Sequence, residues 1–467
     1  MTTGTRGKTL EFWARAENGP VCFEKEFDYK RYWPLLQKIT KKYGIEYDPN
    51  KIVPEDDDFL DALWKAGFEF FLECGVFCSD TERLIMFTEQ EVKQAIRNVP
   101  QECVVGEDYD QLVMKYRPFE CYDQGRNPVG QLGRILGPVS ADIYDQIAMS
   151  YVQEPLIDYV HFQGVVTEIN GVMVKPNSPF ELLSELKRMS IINDVRRRGG
   201  RPGLSDGASM PCTLRAEMIA SDLVKKGDVR HVYVMPHLKT DYDQMCRSMM
   251  WNQAGVKTWG IMQAYIGGGS GGPATSAVQG VADLLAYMML YETSQLGCFI
   301  SDALYFSNTS RTSMFVGLNG GAAFVKHTKW PGWIGPGWQM TAGLGCEEYF
   351  WEHVTGAVGN TCLGFSNSGG TGHQSAALDH ACGLGARFGA EVGYAVGKAK
   401  LTRKQANEMC LKALDKYQPQ IEARTIHKKG GDFREVYDVK TVTPKKEFLE
   451  IYEKVKAELR EWGLPME

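Results

Sequence analysis

What constrains this chain most is a rhythm. From about residue 131 onward, short apolar runs that end in glycine or a polar residue alternate with longer helical patterns, which is how repeated βα units read in sequence. Candidate strands fall at 133–138, 158–167, 201–207, 229–237, 259–267, 297–306, 322–327 and 360–366. Eight strands spread over about 240 residues fit a closed (β/α)8 TIM barrel better than an open doubly wound sheet. The expected α/β architecture is therefore a helical N-terminal extension at 1–130, the barrel at 131–400, and a helical C-terminal segment at 401–467. In such barrels the loops that follow the strands carry the chemistry.

The fifth candidate strand runs straight into a loop that is almost all glycine, WGIMQAYIGGGSGGP at 259–273. Gly267, Gly269 and Gly272 match the spacing of a dinucleotide fingerprint, but that fingerprint also needs an acid about 20 residues on that closes a further strand. Here the chain continues as one long helical pattern instead, so the loop reads as a strand-to-loop corner where a large ligand can approach the backbone.

The flanks are helical. Pro54 and the acids at 55–58 suit a helix start, and Thr88 with Glu91 and Thr402 with Gln405 have capping-box spacing. Near the C-terminus, Phe448, Tyr452, Val455, Leu459 and Trp462 form a stripe at spacings of three and four, the pattern of a helix that docks on the barrel or on a neighbouring subunit; a homo-oligomer is expected.

A net charge of −6 over 467 residues gives no electrostatic case for nucleic acid. No uncharged apolar run is long enough to span a membrane, and the first residues lack the apolar stretch of a secretory signal. The expected compartment is the cytoplasm. None of the 12 cysteines lies in a CxxC pair, which reads as reduced, buried small side chains.

Two stretches carry a family resemblance: KAGFEFFLECGVFCSDT at 65–81 and EVYDVKTVTP at 435–444. With GRPG at 200–203, PHLK at 236–239 and SNTSR at 307–311 between them in order, the chain resembles the monomethylamine:corrinoid methyltransferases over nearly its whole length. The resemblance implies a (β/α)8 barrel that passes a methyl group from a small donor to the cobalt of a corrinoid carried by a separate partner protein and not bound permanently. The family carries pyrrolysine shortly after GRPG, whereas this chain has Leu204, Ser205, Asp206 and Gly207 there. That departure turns the expectation toward the related chains that resemble O-demethylases of methoxylated aromatics, with a methyl aryl ether as donor.

An aryl ether needs an acid or a Lewis acid at its oxygen as the C–O bond breaks. His237, Tyr265, Asp302 and Glu348 stand at or near strand ends and are the expected acid or orienting groups. Trp259, Asn308, Trp330, Trp333, Trp338 and His373 are the expected substrate contacts, the loop tryptophans forming aromatic walls. Gly267, Gly268, Gly269, Gly271 and Gly272 are expected to face the corrinoid. His327, Glu348, Glu352, His353 and His373 offer a zinc set, although no HxH or HExxH spacing joins them. His161 and His231 fall within strands and read as satisfied interior groups, and Arg196, Arg197 and Arg198 read as a solvated helix end. Two alternatives remain: a methylated amine or betaine as donor, its ammonium held by aromatic faces, and a barrel that serves only as an assembly scaffold.

Overall fold

The computed structural model describes residues 6–207, 212–373 and 376–467. Eight parallel strand positions close into a ring. Strand β1 (Gln131–Ile135) pairs with β2 (Tyr159–Phe162), setting Arg134 opposite His161. β3, at 205–207, is reduced to one parallel bridge between Val160 and Asp206, and Val229 N donates to Asp206 O at 3.1 Å to reach β4 (Val229–His231). β4 pairs with β5 (Lys257–Ile266), β5 with β6 (Gln295–Asp302), and β6 with β7 (Trp333–Ile334). A bridge from Ile334 to Ser366 leads to β8 (Asn367–Gly369), which returns to β1. This is the expected TIM barrel.

Helices alternate with these strands: α1 (Tyr144–Val152), α2 (Pro179–Arg198), α3 (Leu214–Ile219), α4 (Tyr242–Ala254), α5 (Pro273–Leu290), α6 (Arg311–Thr328), α7 (Glu347–Cys362) and α8 (Gly383–Ala399). β5 shows how side chains divide between bore and helix layer. Successive strand residues face opposite ways, so Trp259, Ile261, Gln263 and Tyr265 point inward. Gly260 and Met262 point out: a Cβ on Gly260 would strike Tyr287 of α5, and Gly280 of α5 leaves room for the Met262 sulfur.

The N-terminal helix Asp57–Cys74 is capped by Asp56, whose carboxylate accepts from Asp58 N and Phe59 N. It lies on the outer face of α5, where a Cβ at Gly67 would meet Val281. Covered by β5 on one side and by this helix on the other, α5 is apolar nearly all round, as a fully buried helix must be. A short strand, Val76–Cys78, pairs in parallel with Lys239 and Thr240 and ties the loop after β4 to the extension. At the other end, α9 (Arg403–Glu422) starts with the Thr402 capping box. In α10 (Lys446–Glu461) Phe448, Tyr452, Val455 and Leu459 are buried; Phe448 lies 5.3 Å from Phe350 of α7, and Trp462 stacks on Trp351 at 5.0 Å. Among the described residues no helix is long and apolar enough to cross a membrane.

Three sequence expectations are corrected. Residues 322–327 belong to α6, which Ser310 caps through Ser313 N; the seventh strand is the two-residue β7. Residues 360–366 span the end of α7 and the approach to β8. Arg196 is not solvated: it is buried, its Nη1 donating to Asp228 at 2.7 Å and to Leu204 O at 2.7 Å, while Arg197 and Arg198 are exposed and pair with Asp194.

Candidate active site

The bore narrows onto a buried cluster of inward side chains. Arg134 of β1 lies under Trp338, its guanidinium carbon 3.6 Å from a Trp338 ring centroid and 5.2 Å from a Trp259 ring centroid. Its Nη2 sits 3.1 Å from His161 Nδ1. Arginine can only donate, so Nδ1 accepts and the proton of a neutral His161 is on Nε2. That nitrogen points at Gly207, where any Cβ would collide with it. His231 stacks on Trp259 at 4.1 Å and 14°, and its ring is 3.9 Å from that of Tyr233.

The electrostatics are one-sided. Burial pushes the Arg134 guanidinium down to about 9, still protonated at neutral pH. Burial and then the nearby Arg134 charge hold His161 and His231 well below the ordinary histidine value, so both rings are neutral. Arg134 Nε and Nη1, His161 Nε2, both His231 ring nitrogens and Ser368 Oγ are buried without a hydrogen-bond partner, an unusual density of unpaired polar atoms for a protein interior. Among the described residues no inward strand position holds Asp or Glu. Above the cluster, Leu136, Tyr233, Tyr265 and Phe299 keep partial exposure, so the bore opens at the C-terminal ends of the strands.

Of the residues singled out in sequence, Trp259, Tyr265 and Trp338 line this bore. Burial pushes the Tyr265 phenol up. Asn308 closes the loop after β6, its Nδ2 donating to Ile300 O at 2.7 Å while its buried Oδ1 has no partner. His237 sits in the loop after β4 at φ +69°, 5.2 Å from the Tyr32 ring of the extension, and a Cβ on Gly269 would run into it. Gly267, Gly268, Gly269 and Gly272 are exposed; Gly271, at φ +70°, lies against Trp33.

Others point elsewhere. Asp302 faces outward, accepting from Leu304 N at 2.9 Å and Thr312 Oγ1 at 2.6 Å. Glu348 pairs with Lys429. Trp330 and Trp333 pack on Phe324 of α6 at 6.0 and 6.4 Å, in the helix layer. His373 lies 4.4 Å from His380, and burial, then His380, push it down to about 4.

The zinc set does not assemble. His327 stacks on Trp64 at 5.0 Å and meets Asp61. His353 Nδ1 lies 2.8 Å from Tyr349 O, and its Nε2 accepts from Gly370 N. Glu352 binds the loops after β6 and β7, accepting from Thr309 Oγ1, from Thr341 N at 2.5 Å and from Ala342 N at 2.9 Å; burial pushes its carboxyl up to about 7. Among the described residues no group of three or more His, Cys, Asp or Glu could hold a metal ion.

Sequence reasoning missed Arg134 and misread His161 and His231 as satisfied. The available signal was an arginine inside an otherwise apolar strand, QLGRI.

The family model described as Monomethylamine methyltransferase MtmB matches residues 8–464. The chain belongs to this family. Among curated relatives, monomethylamine methyltransferase MtmB2 of Methanosarcina acetivorans is 28% identical over 460 residues, 97% of each chain. MtmB1 of Methanosarcina barkeri is 27% identical over 460 residues, again 97% of each. The crystal structure of the Methanosarcina barkeri monomethylamine methyltransferase aligns over 98% of both chains with a TM-score of 0.88 and 25% identity; a hydroxylamine complex of MtmB aligns with the same figures.

These matches overturn the methoxylated-aromatic expectation. The family model and the relatives are named as monomethylamine methyltransferases over nearly the full length of the chain, which fits the methylated-amine alternative and not aryl O-demethylation.

Proposed function

We propose that this chain transfers a methyl group from a methylated amine to the cobalt of a corrinoid carried by a separate protein. The observation that carries this reading is membership of the monomethylamine methyltransferase family across residues 8–464. The bore is compatible with it. An ammonium nitrogen leaves as a neutral amine, keeping the electron pair of the broken C–N bond, so it needs no acid at the moment of cleavage. That requirement differs from an ether's, and it suits a bore that among the described residues has no inward carboxylate and holds two neutral imidazoles. The reduced corrinoid, as co-substrate, supplies the electron pair that takes up the methyl group.

The chain's own part is to hold and orient the donor. Phe299 and Tyr233 present aromatic faces to a methylated ammonium group, and the Tyr265 hydroxyl oxygen at the mouth accepts a hydrogen bond from the N–H of a donor that has one. The rim after β5 and β6 is the expected corrinoid face. Gly267, Gly268 and Gly269 are exposed there, Leu304 lies against Gly267, and Leu304 and Phe306 are 54% and 70% exposed. A rim of exposed glycines and apolar side chains suits a tetrapyrrole better than a hydrated small ion.

The test mixes the enzyme, reduced cobalamin and a panel of methylated amines and follows methyl–cobalt absorbance. Turnover with at least one amine is expected. A complete lack of methyl transfer from every amine overturns the proposal.

A further inference from the structure

We infer that the methylated amine carries a carboxylate, held deep in the bore by Arg134, so that the donors are N-methylated amino acids or betaines and not bare methylammonium ions. This rests on the amine reading above and narrows it.

Arg134 is fully buried. Arginine and lysine buried this deeply are almost always paired with an anion. Besides the two histidines, the titratable groups beside Arg134 are Tyr159, Tyr233 and Cys298, none of them a carboxylate, and the undescribed positions 208–211 and 374–375 hold no acid in the sequence. Two of its donor nitrogens are unpaired, and His161 adds the free Nε2–H. The other buried arginines of the barrel layer follow the usual rule: Arg188 pairs with Glu185, Arg196 with Asp228, Arg230 with Asp206 and Arg247 with Glu217. Among the described buried arginines of the barrel, Arg134 is the one without a carboxylate partner.

A bare methylammonium ion would add a second positive charge to a low-dielectric space that already holds one, with no anion between them. A zwitterion resolves this. Its carboxylate meets the guanidinium, a geometry arginine suits, while its ammonium end stays among the aromatic faces of Phe299 and Tyr233. The methyl group then points to the mouth, the side from which a partner's cobalt can reach it. The C–N bond breaks with its pair left on nitrogen, and the product is the amino acid with one methyl group fewer. Trp338 covers the guanidinium, so a carboxylate reaches Arg134 as that indole turns aside, and binding changes tryptophan fluorescence.

The test titrates the full-length protein by calorimetry and tryptophan fluorescence with N-methylglycine and glycine betaine, and with methylammonium and tetramethylammonium as partners that lack the carboxylate. Each compound is also assayed for methyl transfer to reduced cobalamin. The carboxylated donors are expected to bind and react in preference to their counterparts. Arg134→Gln is expected to weaken N-methylglycine or betaine binding on the order of 100-fold, and Arg134→Lys by less. Wild-type preference for methylammonium or tetramethylammonium overturns the carboxylate while leaving the amine reading in place. This comparison needs no variant and so decides even if Arg134→Gln fails to fold. Equal betaine affinity in a folded Arg134→Gln protein also overturns it. No methyl transfer from N-methylglycine or betaine overturns the carboxylated donor, and the wider amine panel above then decides the amine reading.

Discussion

Single side chains in this barrel are tuned mostly by burial. Glu352 is the clearest case: a carboxyl with no accessible surface, raised from its ordinary value near 4.5 to about 7 although three groups donate to it. The folded chain therefore keeps a proton that the unfolded chain releases, and stability falls as pH rises from about 4.5 to about 7. Glu352→Gln cannot ionise. Its stability relative to wild type is expected to rise by about 3 kcal/mol across that interval, read from denaturant midpoints at a series of pH values. A flat difference would mean that Glu352 ionises in the folded state as it does in the unfolded one. At this scale sequence was a poor guide. His161 and His231 sit in apolar strands where a satisfied imidazole is the ordinary outcome, and the surroundings of their unpaired nitrogens depend on Arg134, Gly207 and Trp259, which come from three other strands.

Among elements, legibility followed length and regularity. β5 stood out because WGIMQAYI is a long apolar stretch that stops at glycine. β7 was hidden because two residues carry no period, while the AAFVKH stretch of α6 has the branched and aromatic content of a strand. β3 is the weakest of the eight on backbone hydrogen bonding alone, and charge takes over its attachment. Asp228, 1% exposed, accepts from Arg196 Nη1 at 2.7 Å, Asp206 N at 2.8 Å and Lys225 N at 2.9 Å, while Asp206 faces Arg230. Removing one partner of such a set leaves buried cations uncompensated. Asp228→Ala is expected to cost about 3–5 kcal/mol, seen as a lower denaturant midpoint with an unchanged slope. A cost below about 1 kcal/mol would show that water replaces the carboxylate.

For the whole molecule the decisive property is the division of labour between the depth of the bore and its rim. If the rim after β5 and β6 receives the corrinoid, Leu304→Ser combined with Phe306→Ser should raise KM for the corrinoid acceptor about tenfold while leaving donor affinity unchanged. A matching loss of donor affinity would place those side chains in the donor's pocket instead. The rim is also composite. The loop after β4 is held by a two-residue ladder to Phe77 and Cys78 and by Lys239, which reaches Glu24 and Asp28, and the glycine loop rests on Trp33. The segment at 24–78 thus has its seat on parts made some two hundred residues later. During synthesis that segment has nothing to settle on until α5 has emerged, and contacts so distant in sequence delay the final docking. The entrance therefore takes shape late, after the strands beneath it have already met.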